Sequence, residues 1–173
     1  MIIEEKVKLA IHGDEKAFEY LMDICKEGLY RTAFAYTKNE QDAVDILQDT
    51  VYKAYISIDK LKEPKYFKTW ITKILINGAI NFINKEKKIV TLVENISNNC
   101  NYNKDNRIEE KLDILNLIDE LEDKHKNVIV LKYFQDLTIN EIALVLECPV
   151  GTVKSQLNKA LVKLRIIMDK EIV

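Results

Sequence analysis

The feature that most constrains this chain is a break. Residues 94–107 read ENISNNCNYNKDNR, a run dominated by asparagine in which apolar residues thin out. Such a segment buries too little surface to offset the entropy of ordering it, and it reads as a linker. On both sides apolar residues recur with the 3.6-residue period of amphipathic helices. The expectation is an all-α chain: two small helical domains, residues 1–90 and 108–173, joined by a flexible linker over 91–107. Four Gly and two Pro in 173 residues fit that reading and argue against a loop-rich all-β fold.

Capping residues place the helices. Asp14 suits the start of a helix through Ala17, Phe18, Leu21 and Met22, and Gly28 suits its end, with a second helix over Leu29–Tyr36. Asn39 suits the cap of a third helix with Ala43, Ile46, Val51 and Ala54 on one side. A loop containing Pro64 leads to a fourth helix over 67–88. Beyond the linker, helices are predicted over 108–121, 124–134, 138–147 and 150–168.

Enzyme chemistry lacks its materials. The four glycines are scattered, so there is no phosphate-binding loop, and His12 and His125 stand apart as surface residues. Cys25, Cys100 and Cys148 form no metal-ligand spacing and leave one over in any pairing. Neither a cofactor nor a metal is expected. The acidic N-terminal stretch MIIEEKVKLAIHGDE reads neither as a signal peptide nor as a membrane span, so the cytoplasm is the expected compartment.

The net charge of −2 conceals local asymmetry. Thr138-Ile139-Asn140-Glu141 is a capping box opening a short helix, and Glu147-Cys148-Pro149-Val150-Gly151 is a tight break. The last helix places Val150, Val153, Leu157, Leu161 and Leu164 on one stripe and Lys154, Ser155, Asn158 and Lys159 on another. Residues 149–165 carry +4 with no acid. A short helix, a tight turn and a basic helix describe a helix-turn-helix that lays its second helix in the major groove. Residues 60–88 carry +6. On the fourth helix Asn77, Asn81 and Asn84 share a face with Trp70, Lys73 and Lys88, and Tyr66 and Phe67 lie just before it. Amides for base edges, rings for stacking and lysines for phosphate suit single-stranded nucleic acid or an extruded base. The remaining residues sum to −12, and Asp42, Asp45 and Asp49, with Gln48 beside them, line one face of the third helix as a docking surface for a basic partner.

Two stretches, NEQDAVDILQDTVYKAY…YFKTWITKILINGAINFINKEKK and LTINEIALVLECPVGTVKSQLNKALVKLR, resemble bacterial sigma factors of the extracytoplasmic-function (ECF) group of the sigma-70 family. The resemblance spans nearly the whole chain outside the linker. The D-x-x-Q-D-x-x-x-x-A run from Asp45, the W-x-x-x-I-x-x-N run from Trp70 and CPVGTVKS are jointly specific. The resemblance implies a non-catalytic initiation subunit that joins core RNA polymerase, reads −35 and −10 promoter elements and opens the DNA. By position, Asp45, Gln48 and Asp49 match the helix that docks on the clamp helices of the largest polymerase subunit. Asn77 matches a pocket for a flipped −10 base, with Asn81 one turn on, and the loop Lys62–Thr69 matches the specificity loop enclosing that base. Lys154, Ser155, Asn158 and Lys159 match −35 reading positions, and Thr152 a phosphate contact. The linker would thread toward the polymerase cleft.

Relatives often carry Arg where Lys154 and Lys159 stand, and lysine lacks the planar fork that grips guanine. Gly78 in the fourth helix costs about 1 kcal/mol relative to Ala, for which close approach to DNA offers a reason. The YRTAFAYTKNEQDAVDILQD run looks like cell-envelope-stress members. These are held by a membrane-anchored anti-sigma protein, and the two domains of the free chain would then be loosely tethered. The rival readings are a stand-alone helix-turn-helix regulator and a helical adaptor that ignores DNA; neither needs the Asn/Trp face.

Overall fold

The computed structural model describes residues 2–96 and 112–171, and every regular element among them is helical. The N-terminal half comprises α1 (Ile2–Ile11), α2 (Glu15–Thr37), α3 (Glu40–Tyr55) and α4 (Phe67–Ile96). Two 3-10 turns, Ile58–Lys60 and Pro64–Tyr66, link α3 to α4. The C-terminal half comprises α5 (Leu112–Asp119), α6 (Asp123–Tyr133), α7 (Ile139–Leu146) and α8 (Val150–Glu171).

The caps fall where their chemistry directs. The Asp14 carboxylate accepts from the Ala17 amide at 2.9 Å, and the Asn39 side chain accepts from Asp42 at 3.1 Å. Each replaces an intrahelical partner that a first-turn amide lacks. Around these starts Phe18, Leu21, Leu29, Ile46, Ile71, Leu75 and Ile76 are buried together. On α4 Ile71, Leu75, Ile76 and Ala79 are buried, while Phe82 and Ile83 are half-buried.

Several expectations need correction. Gly28 does not end a helix: α2 runs through it without interruption. The carbonyl of Gly28 accepts from the Thr32 hydroxyl at 2.9 Å and from the Gln135 amide at 2.8 Å, so the position is used as a contact. α4 continues to Ile96, so residues 91–96 of the expected linker are helical, and 97–107 lie outside the described residues. On α8, Val150 and Leu161 are exposed and Ala160 is buried in their stead, beside Val153 and Leu157. α8 is 22 residues long, while α6 has 11 and α7 has eight. At 1.5 Å per residue it spans about 33 Å, and toward its far end Leu164 and Ile167 are half-buried against the core. His125, expected on the surface, is buried in α6 at 2% exposure.

The two halves, expected to be loosely tethered, pack against each other. The Gln135 amide donates to Gly28 and, at 2.7 Å, to the Thr32 hydroxyl, and Thr72 of α4 lies 3.5 Å from its carbonyl oxygen. The Tyr36 hydroxyl donates to Asn127 at 2.6 Å. Lys38, in the left-handed conformation that closes α2, pairs with Asp119 at 2.5 Å. Asp119 also pairs with Lys126 at 2.7 Å. Although burial pushes the Asp119 carboxyl up, the hydrogen bonds from Lys126 and Lys38 outweigh it and hold it below its usual range.

Candidate nucleic-acid and protein interfaces

The acidic face is set by the Asn39 cap, which fixes where the α3 spiral begins. Ala43, Ile46, Thr50 and Ala54 turn inward. Asp45, Gln48 and Asp49 are then exposed together, with Asp42 half-buried in the first turn. Carboxylates there also meet the positive end of the helix dipole. Gln41 donates to Asp45 at 3.2 Å and Lys53 pairs with Asp49 at 2.6 Å, both across one turn in solvent. These contacts are weak and exchangeable, so they leave the face open to a competing cation. Tyr52, 63% exposed, extends the same face by one turn, and the sequence reading did not single it out.

The second interface begins in the loop before α4. Leu61 and Phe67 are buried and anchor the two 3-10 turns, while Lys62 and Tyr66 remain exposed. The Lys65 ammonium sits 4.9 Å from the centre of the Tyr66 ring, a cation–π contact at the surface. Phe67, expected to offer a stacking ring, is only 2% exposed and lies 6.0 Å from the Trp70 ring. It is a core residue and has no face to give a base. Trp70 is half-buried with one side against the core. Asn77, Asn81 and Asn84 are all exposed along one side of α4. Gly78 faces α3: a Cβ there would meet Ile46 at 3.9 Å, so the glycine sits at a helix crossing and not on the outward side.

The upper end of this face is covered. Thr69 is 6% exposed, with its hydroxyl 3.5 Å from a Glu141 oxygen. Lys73 pairs with Glu147 at 2.5 Å. That hydrogen bond, with the charge behind it, holds the Glu147 carboxyl below its ordinary range. Burial pushes the Glu141 carboxyl up, but the Thr138 hydroxyl and amide and the charge of Lys68 bring it below its usual range.

The third interface is the helix-turn-helix. The capping box forms as read: Glu141 donates its amide to the Thr138 hydroxyl at 3.3 Å, and the Thr138 amide donates to Glu141 at 2.8 Å. Glu147 closes α7 with φ 51°, a left-handed conformation that bends the chain into Pro149. The Pro149 carbonyl accepts from Thr152 at 2.9 Å and Val153 at 3.2 Å, opening α8. Lys154, Ser155, Asn158 and Lys159 are exposed on one side of α8, and Thr152 is half-buried at its start. Lys163 points elsewhere, to Glu122 at 2.5 Å, with its ammonium 3.5 Å from Nδ1 of His125. Hydrogen bonds from Lys124 and Lys163 pull Glu122 down to about 2.

Gln135, Glu147 and the second use of Glu141 were not legible as site residues. Glu141 was visible as a cap, but nothing in spacing says that the cap would also lie against Thr69. Among the described residues there is no cluster of His, Cys, Asp and Glu suited to a metal, and Cys25 and Cys148 are free thiols. No described helix is long and apolar enough to cross a membrane.

Two family descriptions match this chain: Sigma-70 region 2 over residues 21–89 and Sigma-70 region 4 over residues 111–164. The RNA polymerase sigma factor SigV of Bacillus subtilis is 36% identical over 84% of this chain and 87% of its own. The ECF RNA polymerase sigma factor SigW of the same organism is 32% identical over 95% of this chain and 96% of its own. Two solved structures share the fold. CnrH, in complex with the cytosolic domain of CnrY, has a TM-score of 0.76 at 21% identity and covers 97% of each chain. The sigma factor RpoE of Bartonella quintana, in complex with the anti-sigma factor NepR, has a TM-score of 0.76 at 20% identity, covering 89% of this chain and 98% of its own. A two-unit helical chain with a helix-turn-helix at its end is thus a transcription initiation subunit of the sigma-70 family. Within it, the chain belongs to the ECF sigma factors.

Proposed function

We propose a division of labour among the three surfaces. Residues 1–90 form a region-2-like unit whose last helix runs on to Ile96, the rest of 91–107 connects it onward, and 108–173 form a region-4-like unit. Asp42, Asp45, Gln48 and Asp49 dock on the clamp helices of the largest polymerase subunit, where basic side chains replace Gln41 and Lys53 as their partners. Lys154, Ser155, Asn158 and Lys159 read the −35 major groove, with Thr152 on a phosphate. Each good base contact there contributes roughly 1–3 kcal/mol. Lysines in place of arginines favour phosphate attraction over rigid guanine recognition.

Asn77, Asn81, Asn84, Lys73, Trp70, Thr69, Tyr66 and Lys62 capture a base extruded from the non-template −10 strand. Capture offsets an unstacking cost of a few kcal/mol and so holds the bubble open. The single observation that carries this reading is the row of three exposed asparagines on the one strongly basic helix of the N-terminal half. A helix-turn-helix repressor has no use for it. The partner protein is an anti-sigma factor, by likeness to RpoE with NepR, and we place it at the cytoplasmic face of the membrane, with this chain held beside it until released.

Run-off transcription with bacterial core polymerase on a library of promoter fragments tests the reading. New starts that depend on this protein, sharing spaced −35 and −10 sequences, are expected. Folded protein that co-elutes with core polymerase yet yields no new starts, even with every candidate activator fraction added, would favour an adaptor instead.

A further inference from the structure

Glu122 stands at the N-cap of α6, where a side-chain oxygen ordinarily accepts an amide of the first turn. Its side chain makes no capping bond. Both oxygens go to lysines instead: Oε2 to Lys124 of its own helix at 2.8 Å, and Oε1 to Lys163 of α8 at 2.5 Å. Nδ1 of the buried His125 lies 3.5 Å from the same Lys163 ammonium. Lys163 is therefore laid toward α6, although it belongs to the basic charge of residues 149–165. It stands one turn beyond Lys159 and about 40° further round the helix. Base edges are read from the first turns of such a helix, and a lysine further along meets the phosphates of the groove wall.

We propose that Glu122 withholds Lys163 from the phosphate backbone and so sets how strongly this chain binds duplex DNA regardless of sequence. This rests on the −35 assignment of α8 made above. The Glu122 and Lys163 side chains are 54% and 41% exposed, and such a pair yields readily to a competing cation. A phosphate is a different competitor. To take Lys163 it must come close to Glu122, and like charge opposes the approach. On α3 the reverse holds, because the partner expected there is basic and is drawn to the carboxylates. Lys154, Ser155, Asn158 and Lys159 are exposed and stay free to read the groove. Withholding one lysine leaves one counterion undisplaced, which makes the fall of log affinity with log salt shallower by about 0.9. At 0.1 M salt the same difference corresponds to about eightfold in affinity for any duplex.

Two substitutions release Lys163 without touching the reading face. Glu122→Asn removes the charge and offers an oxygen suited to the N-cap, so α6 keeps its start. Glu122→Gln removes the charge while keeping the shape. Fluorescence anisotropy of the full chain with a fluorescein-labelled duplex of scrambled sequence, titrated over a range of salt, reads the effect. Both variants should bind about eightfold tighter than wild type at 0.1 M salt and steepen the slope by about one unit. Lys163→Ala alone should leave the wild-type slope unchanged, because the withheld lysine displaces no counterion. Added to Glu122→Asn, it should return the slope to the wild-type value.

A slope that Lys163→Ala flattens in the wild-type background would overturn the proposal, since Lys163 would then already meet phosphate. Glu122 variants with the wild-type slope would overturn it too. So would a steepened slope that survives Lys163→Ala, which would assign the gain to Lys124 or to net charge. Lys159→Ala, read in the same titration, keeps the two ideas apart. A slope it leaves unchanged would refute the −35 assignment. A slope it flattens, beside Glu122 variants no different from wild type, would refute the withholding of Lys163 alone.

Discussion

Asn77→Ala separates promoter opening from folding and from polymerase binding. Asn77 is exposed in the middle of α4, and the buried side of that helix at this level is carried by Leu75, Ile76 and Ala79. Asparagine is a weaker helix former than alanine, so the variant should be as stable as wild type or more stable by about 0.5 kcal/mol. Core polymerase binding should be unchanged, because the acidic face lies on α3. A well-formed amide–base contact contributes about 1–3 kcal/mol. At 1.4 kcal/mol per factor of ten, losing it should reduce the open-complex population by roughly five- to 150-fold. Permanganate reactivity of −10 thymines in a holoenzyme–promoter complex reads that population directly, and gel filtration with core polymerase reads docking. A variant that co-elutes with core and gives the wild-type permanganate pattern would refute the assignment of Asn77. A variant that fails to co-elute would show that α4 contributes to docking, contrary to the division drawn above.

The other surfaces give sharper chemical tests. Lys159→Ala should weaken −35 duplex binding and flatten the slope of log affinity against log salt by about one unit; an unchanged slope would mean that Lys159 meets no phosphate. Asp45→Lys with Asp49→Lys should abolish co-elution with core polymerase while leaving thermal stability within about 0.5 kcal/mol of wild type, since both side chains are exposed. Thr138→Ala removes the reciprocal capping of α7 and should cost about 1 kcal/mol in urea unfolding. Burial and the charge of Lys163 hold the His125 imidazole below its ordinary 6.5. The unfolded chain therefore takes up a proton that the folded chain refuses, and stability rises with pH through this window and is lost as pH falls below about 6.5. Urea midpoints at pH about 7.5 and about 5.5 should differ less in His125→Leu than in wild type.

What the sequence made legible is what periodicity and capping encode. The Asn39 and Asp14 caps, the Thr138–Glu141 box, the start of α4 at Phe67 and the outward row of Asn77, Asn81 and Asn84 follow from spacing within one helix, and each is present. The misreadings arise where a residue's setting is decided by a neighbour distant in the chain. Phe67 precedes a basic helix and reads as a stacking ring, but the loop it anchors folds it into the core. Gly28 reads as a stop, yet its carbonyl serves a glutamine 107 residues further along. His125 reads as a surface residue because it stands apart from His12 in the chain, whereas Lys163 of α8 lies against it in the fold.

The charge pattern had a further meaning that counting could not reach. A −12 remainder beside +6 and +4 patches reads as one acidic docking face and a solvated surplus. In the folded chain part of that surplus is spent within the molecule: Glu147 on Lys73, Asp119 on Lys38 and Lys126, Glu122 on Lys163. These pairs fall at junctions and on basic helices, whereas among the described residues the α3 carboxylates Asp45 and Asp49 meet Gln41 and Lys53 of their own helix. The contrast distinguishes the two kinds of acid. Carboxylates that pair across the junction restrain the basic surfaces. Carboxylates that pair only along their own helix are released at little cost when a basic partner arrives.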